Sequence, residues 1–354
     1  MPDSSAIPPE ATADIRTLMA DAGIDNHEDL IARILATGLG LGLDDTDRLD
    51  LKISSAALTE MRAAFRLFAP YRGVPKVTIF GSARTRADDA LYRAAADVAA
   101  ELAARGWMVV TGAGPGIMQA AAEGAGAENS LGVSIRLPFE EKPNAVIIDS
   151  DRNVAMKYFF TRKLMLIKES SGFICVPGGF GTLDEMFELL TLQQTGKAEP
   201  TPIVLLDEPG GTFWSGLRRF VEEHLVSSGV VSSDDLDRVL ITDSVTAAAD
   251  AVTDFWRNYD SLRWVGRRLV LRLRAEPTDA ELRALDERFG HLLIEGGFER
   301  SEPLKPERLE EDRTELPRLV AVFDPHRVGS LFQLIRAIND LPSAPRAADP
   351  PGPE

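Results

Sequence analysis

Two glycine-rich turns and one arginine hold the groups of this chain that could do chemistry. The longer turn is Pro177-Gly178-Gly179-Phe180-Gly181-Thr182-Leu183-Asp184-Glu185, which follows an apolar run and opens a helical pattern. Gly178, Gly179 and Gly181 let backbone N–H groups face an anion at a helix N-terminus, and the Thr182 hydroxyl adds a donor. No Gly-Lys-Ser/Thr follows, so this is not the P-loop of a nucleoside-triphosphatase. Glu185 has two readings. Thr182 to Glu185 spells T-x-x-E, a capping box in which the glutamate closes the helix end. Alternatively, its carboxylate acts on whatever the turn binds. Spacing alone leaves the two level.

The second turn, Gly112-Ala113-Gly114-Pro115-Gly116-Ile117-Met118, also joins an apolar run to a helical pattern. A dinucleotide fingerprint needs G-x-G-x-x-G, and here the third glycine comes one place early. The next strand ends in Arg136, where a ribose-binding acid would be needed, so a nicotinamide cofactor is not indicated. The plain alternative is a tight strand-to-helix turn with no ligand.

Arg162 lies in the helical stretch before the longer turn. If that helix ends near Glu169, Arg162 sits about 10 Å back along the axis. The returning strand rises about 17 Å over five residues. These lengths bring Arg162 to the carboxyl edge beside residues 177–185, its head in a solvent-accessible pocket; otherwise it is an exposed helical arginine. Lys163 points about 100° away around the helix.

The elements that must position these residues alternate. Apolar runs at 76–80, 107–111, 132–136, 145–149, 172–176, 202–206 and 239–242 are separated by helical patterns, including 89–105, 116–128, 154–170, 183–195 and 212–228. That order predicts an α/β fold: a Rossmann-like doubly wound parallel sheet, with ligands beyond the strands' carboxyl ends. Residues 1–72 read as a helical extension, with helices at 10–22, 27–36 and 54–69 and a glycine-punctuated loop from Gly38. The sheet domain spans 73–260. Residues 265–342 follow a β-α-β-β-α order, with strands at 268–274 and 319–324 and helices at 279–289 and 328–339. This order suits a small α+β domain of ferredoxin-like or ACT-like type. Residues 343–354 read as a disordered tail.

Composition narrows the function classes. The 354 residues carry a net charge of −16, which argues against a protein that grips nucleic acid by bulk charge. The single cysteine, Cys175, excludes an internal disulfide, and the four scattered histidines share no metal-ligand spacing. No stretch has the roughly 20 apolar residues of a membrane span, and no secretory leader is evident, so a cytoplasmic protein is expected.

The longer turn matches the P-G-G-x-G-T-x-x-E signature of the Lonely Guy (LOG) family, and Arg162-Lys163 matches that family's upstream Arg-Lys pair. Phe80-Gly81-Ser82-Ala83 and Gly112–Met118 add matches, and the resemblance covers roughly residues 75–255. It differs at Phe160-Thr161, where short plant-like members usually carry His-Glu. The resemblance implies a phosphoribohydrolase that cleaves a nucleoside 5′-monophosphate, purine or cytokinin-type, to free base and ribose 5-phosphate. It implies Arg162 and Glu185 as catalytic residues. Gly81, Ser82, Gly112, Gly114, Gly116, Met118, Lys163, Gly178, Gly179, Gly181 and Thr182 would bind substrate, and Asn144 and Arg136 could contact base or ribose. It also implies a homodimer or larger assembly, with no cofactor and no metal. Older family labels say lysine decarboxylase, but no pyridoxal-phosphate lysine site is identifiable. The alternative is a binding protein for a phosphorylated cofactor, since the fold also resembles that of molybdenum-cofactor carriers.

Overall fold

A computed structural model describes residues 7–136, 144–147, 151–232 and 235–346, apart from the Val328 side chain. The chain divides into two compact units, one ending at Arg62 and one beginning at Ala63. The first unit is helical. Helix α1 spans Pro9–Asp21 and α2 spans Glu28–Leu43. Helix α3 runs Arg48–Phe68 across the boundary. The glycine loop expected from Gly38 is instead the last turns of α2. Three glycines there cost about 1 kcal/mol each against alanine, yet the segment is helical through Leu43.

The second unit holds two sheets. The larger is built from β1 (Lys76–Phe80), β2 (Met108–Thr111), β3 (Ser130–Ile135), β4 (Asn153–Met156), β5 (Gly172–Cys175), β6 (Ile203–Leu206) and β7 (Val239–Thr242). Its order is β4-β3-β2-β1-β5-β6-β7, and every pairing is parallel. Strands β1, β2, β5 and β6 are buried along their whole length, which is why they read as unbroken apolar runs. Helices α4 (Ala90–Ala104) and α5 (Ile117–Ala125) pack closely through alanines, and a Cβ on Gly124 would collide with the Ala96 backbone. Helix α6 is Phe159–Lys168, α7 is Phe180–Gln194, α8 is Phe213–Phe220 and α9 is Val245–Asp254.

One strand differs from the expected pattern. Residues 145–147 form a turn, and 148–149 lie outside the described residues. The strand beside β3 is Asn153–Met156, which takes the first residues of the stretch expected as helix from Val154. It is an edge strand with alternating burial, so the apolar signal is diluted.

The smaller sheet is antiparallel, in the order β10-β11-β9-β8, with β8 Tyr259–Val265, β9 Arg268–Leu273, β10 Leu293–Arg300 and β11 Arg318–Phe323. Helices α10 (Asp279–Phe289), α11 (Lys305–Leu309) and α12 (Leu331–Asn339) complete it. The expected β-α-β-β-α order is present as β9-α10-β10-β11-α12, with β8 added at the edge beside β9 and the short α11 between β10 and β11. Helix α12 begins at Leu331, after a 3-10 turn over Pro325–Ser330. The ordered chain continues past 342, because the Ser343 N–H donates to Glu281 at 2.8 Å. Residues 347–354 of the expected tail lie outside the described residues.

Candidate active site

The order of strand addition reverses between β1 and β5, because β2, β3 and β4 are laid outward on one side and β6 and β7 on the other. Such a switch point opens a crevice at the strands' carboxyl ends. Gly81 and Ser82 leave β1 there, and Val176 to Gly179 leave β5. A Cβ on Gly178 would collide with Thr182 Oγ1 and approach Ser82 N to 3.1 Å, so the two turns touch. Gly112 to Gly116 leave β2 next to them.

Helix α7 begins at Phe180 with Gly179 as its N-cap, and no side chain caps it. Thr182 is therefore already in the first turn, and Glu185 lies in the second. That overturns the capping-box reading. A true T-x-x-E box occurs elsewhere: Thr278 is the N-cap of α10, and Glu281 returns to the Thr278 N–H at 2.6 Å. The two glutamates have opposite electrostatics. Burial works against Glu281, but N–H bonds from Thr278 and Ser343 hold its carboxyl below the ordinary value. Burial pushes Glu185 up to about 7, with Arg162 and Lys163 opposing the shift. A buried carboxyl so poised near neutrality beside a specific cation is a functional-site signature.

Its partner is Arg162. This residue is only 8% exposed, so neither the surface arginine nor the solvent-accessible head expected from sequence is found. The Arg162 Nε–H donates to the Val133 carbonyl at 2.9 Å, and Nη1 donates to Glu185 Oε1 at 3.0 Å. The remaining side of the guanidinium lies against Gly112, where a Cβ would collide with Nη2 and come within 2.8 Å of Met118 Sδ. Gly112 is thus required for the arginine to reach the glutamate. Gly112→Ala should lower turnover at least tenfold while the protein stays folded, because the displaced guanidinium leaves Glu185 without its partner; circular dichroism with steady-state kinetics checks this.

The remaining glycines expected to bind substrate divide into two groups. Gly81 abuts the Ile117 side chain, Gly114 abuts Met118, and Gly116, at φ +67°, lies against the Ser82 and Ala83 backbone. Close packing accounts for glycine at these positions. Gly179 and Gly181 instead face open space, with no atom within 4 Å of a Cβ built on either. Lys163 turns away, as its helical position predicted, and bridges Asp184 at 2.7 Å and Glu188 at 2.8 Å on α7. It clamps α6 to α7.

Asn144 is buried and serves the loop. Its backbone N–H donates to the Ala113 carbonyl at 2.9 Å and its Nδ2 to the Gly114 carbonyl at 3.3 Å. Ala113 itself has φ +59°, an unfavourable conformation for a residue with a Cβ, held by those contacts and by Thr111 Oγ1 on its N–H at 3.1 Å. Arg136 is exposed at the end of β3. The Val133 carbonyl is not legible in the sequence, since a backbone acceptor leaves no residue signature. Cys175, one strand residue from the turn, is buried and its thiol is pushed far up by burial and by Glu185, so it offers no thiolate.

Comparison with known proteins gives a consistent likeness. A family described as possible lysine decarboxylase matches residues 116–252. The cytokinin riboside 5′-monophosphate phosphoribohydrolase of Mycobacterium tuberculosis is 33% identical over 165 residues, covering 46% of this chain and 84% of that protein. The protein of the same name from Mycobacterium marinum is 32% identical over 162 residues, with the same coverage. Among solved structures, the molybdenum cofactor carrier protein of Chlamydomonas reinhardtii aligns with 51% of this chain and 96% of its own, at 20% identity and a TM-score of 0.36.

Proposed function

We infer from its membership of the LOG family, to which this chain belongs, that it hydrolyses the N-glycosidic bond of a nucleoside 5′-monophosphate to free base and ribose 5-phosphate. The observation that carries the site assignment is the buried Arg162–Glu185 pair at the sheet's switch point. Cleavage at C1′ passes through an oxocarbenium-like state, so a carboxylate beside the sugar stabilises positive charge and directs water to that carbon. Glu185 supplies this carboxylate. Water's hydroxyl joins C1′, and its proton ends on the departing base. Arg162 fixes the Glu185 carboxylate and the ribose-phosphate in reactive geometry. The uncapped start of α7, with Gly179, Gly181 and Thr182, receives the 5′-phosphate. A cytoplasmic location fits such a substrate, and among the described residues no helix is long and apolar enough to cross a membrane.

Incubation of the intact chain with AMP tests the reaction. Equimolar adenine and ribose 5-phosphate are expected; no base released from any nucleotide, together with tight binding of a phosphorylated pterin, would favour a carrier instead. AMP should also bind better than adenosine. Gly179→Val should remove most of that preference with little loss of thermal stability, because a Cβ there meets no protein atom within 4 Å. Equal affinity of the native protein for AMP and adenosine would contradict the phosphate assignment.

Self-association is part of the same reading. Phe159, Phe160 and Leu164 on α6 and Phe180 and Phe187 on α7 are exposed, Phe180 to 93%. An apolar face of this kind beside a site fits a second copy of the chain. Light scattering should show a dimer or larger species, and Phe160→Glu should reduce its mass. A monomeric native protein would refute this.

A further inference from the structure

Arg162 and Lys163 are consecutive on α6 and point about 100° apart around it. Their partners repeat that offset on α7. Glu185 meets Arg162 at 3.0 Å, while Asp184 and Glu188 take the Lys163 ammonium at 2.7 and 2.8 Å. Asp184 and Glu188 are four residues apart and so share one face of their helix. The two helices are therefore joined by two rungs that face different directions. A single rung leaves α7 free to turn about its axis, and the second removes that freedom.

The start of α7 has few restraints of its own. Its N-cap is Gly179, no side chain caps it, and Gly181 lies in its first turn. Glycine gives the backbone before Glu185 more freedom than any other residue would. Lys163 also places charge beside Glu185, and its side chain is only 16% exposed. Burial works against that charge, but Asp184 and Glu188 hold the ammonium above its ordinary pKa. Among the described residues, the charged groups acting on Glu185 are Arg162 and Lys163 from α6 and Asp184 from α7 itself. The Cys175 thiol, which feels Glu185 from β5, stays protonated.

We propose that Lys163 is a positioning residue for the hydrolysis, fixing through Asp184 and Glu188 the orientation of α7 at which the Glu185 carboxylate meets Arg162. Its ammonium is taken up by those two carboxylates and does not hold substrate. This rests on the reaction assigned above.

AMP turnover of the intact chain between about pH 5 and 9 tests it, with the native protein measured first. Lys163→Met keeps the apolar stem and removes the cation. Its kcat should fall at least about tenfold while KM for AMP changes less than about twofold. The limb of kcat/KM near 7 should move up by about half a pH unit or more, because a cation that favours the Glu185 carboxylate is gone. Lys163→Arg should restore most of kcat, since a guanidinium keeps the charge and can reach both carboxylates. Asp184→Asn combined with Glu188→Gln should lower kcat as far, yet move the limb down, because an opposing anion is removed. Adding Lys163→Met to that pair should cost little further kcat. Base release by the native protein, with normal kcat and an unmoved limb in Lys163→Met, would overturn the positioning role alone. A raised KM with kcat unchanged would make Lys163 a substrate-binding residue, and fully additive losses would break the link through α7. No base release by the native protein would overturn the assigned reaction, and this role with it.

Discussion

Glu185→Gln should reduce kcat by roughly 10²–10⁴, the range expected when a positioned carboxylate is removed from a reacting centre. Folding should be little affected, because glutamine keeps the shape of the side chain and its carbonyl can still accept from Arg162 Nη1. Stability also has a pH signature. Glu185 has a folded pKa of about 7 against an ordinary 4.5, so the folded state holds this proton more tightly than the unfolded state. The resulting stabilisation is complete below 4.5 and is lost as pH rises through 7. The native protein should therefore lose stability relative to Glu185→Gln across that window. Normal specific activity in a variant that melts early would reduce Glu185 to a structural group.

Arg162→Ala should be costly in both activity and stability. The guanidinium is buried and joins three elements: α6, the Val133 carbonyl on β3 and Glu185 on α7. Removing one member of a buried ion pair strands the other, at about 3–5 kcal/mol. Here the Glu185 carboxyl can take up a proton, which softens that loss but removes the carboxylate proposed to act at C1′. Arg162→Lys should restore little of either property, since a single ammonium cannot place donors on Val133 and Glu185 as the planar fork does. Calorimetric melts with AMP turnover measure the two effects together. Full activity with the lysine would remove the two-pronged role.

The parts of this site legible in the sequence were those with a side-chain or glycine signature. The Pro177–Glu185 turn, the Gly112–Gly116 turn and the apolar strands before them were all readable, because fully buried parallel strands leave unbroken runs. The depth of Arg162 was not readable. Helix and strand lengths place its Cα near the carboxyl edge, but burial depends on Gly112 in a strand turn 50 residues away, which a linear reading cannot pair with it. The role of Glu185 was undecidable for a similar reason. T-x-x-E at 278–281 and at 182–185 are identical as patterns, and only the observed helix start, with Gly179 as the N-cap, shows that Glu185 does not close a capping box. Edge strand β4 and the helical glycines of α2 were misread because neighbouring structure overrode weak local propensity.

An ionised Glu185, buried against Arg162, is proposed to drive cleavage of the glycosidic bond. The pH dependence of kcat/KM for AMP hydrolysis, measured in the native protein and in Glu185→Gln, tests it most directly, since this parameter reports groups of the free enzyme and free substrate. The native profile should rise through a limb near pH 7 as Glu185 ionises and then level off. The residual activity of Glu185→Gln should lack that limb and keep only the substrate phosphate's ionisation at about 6. A native profile without the limb near 7, or the same limb persisting in Glu185→Gln, would contradict the assignment.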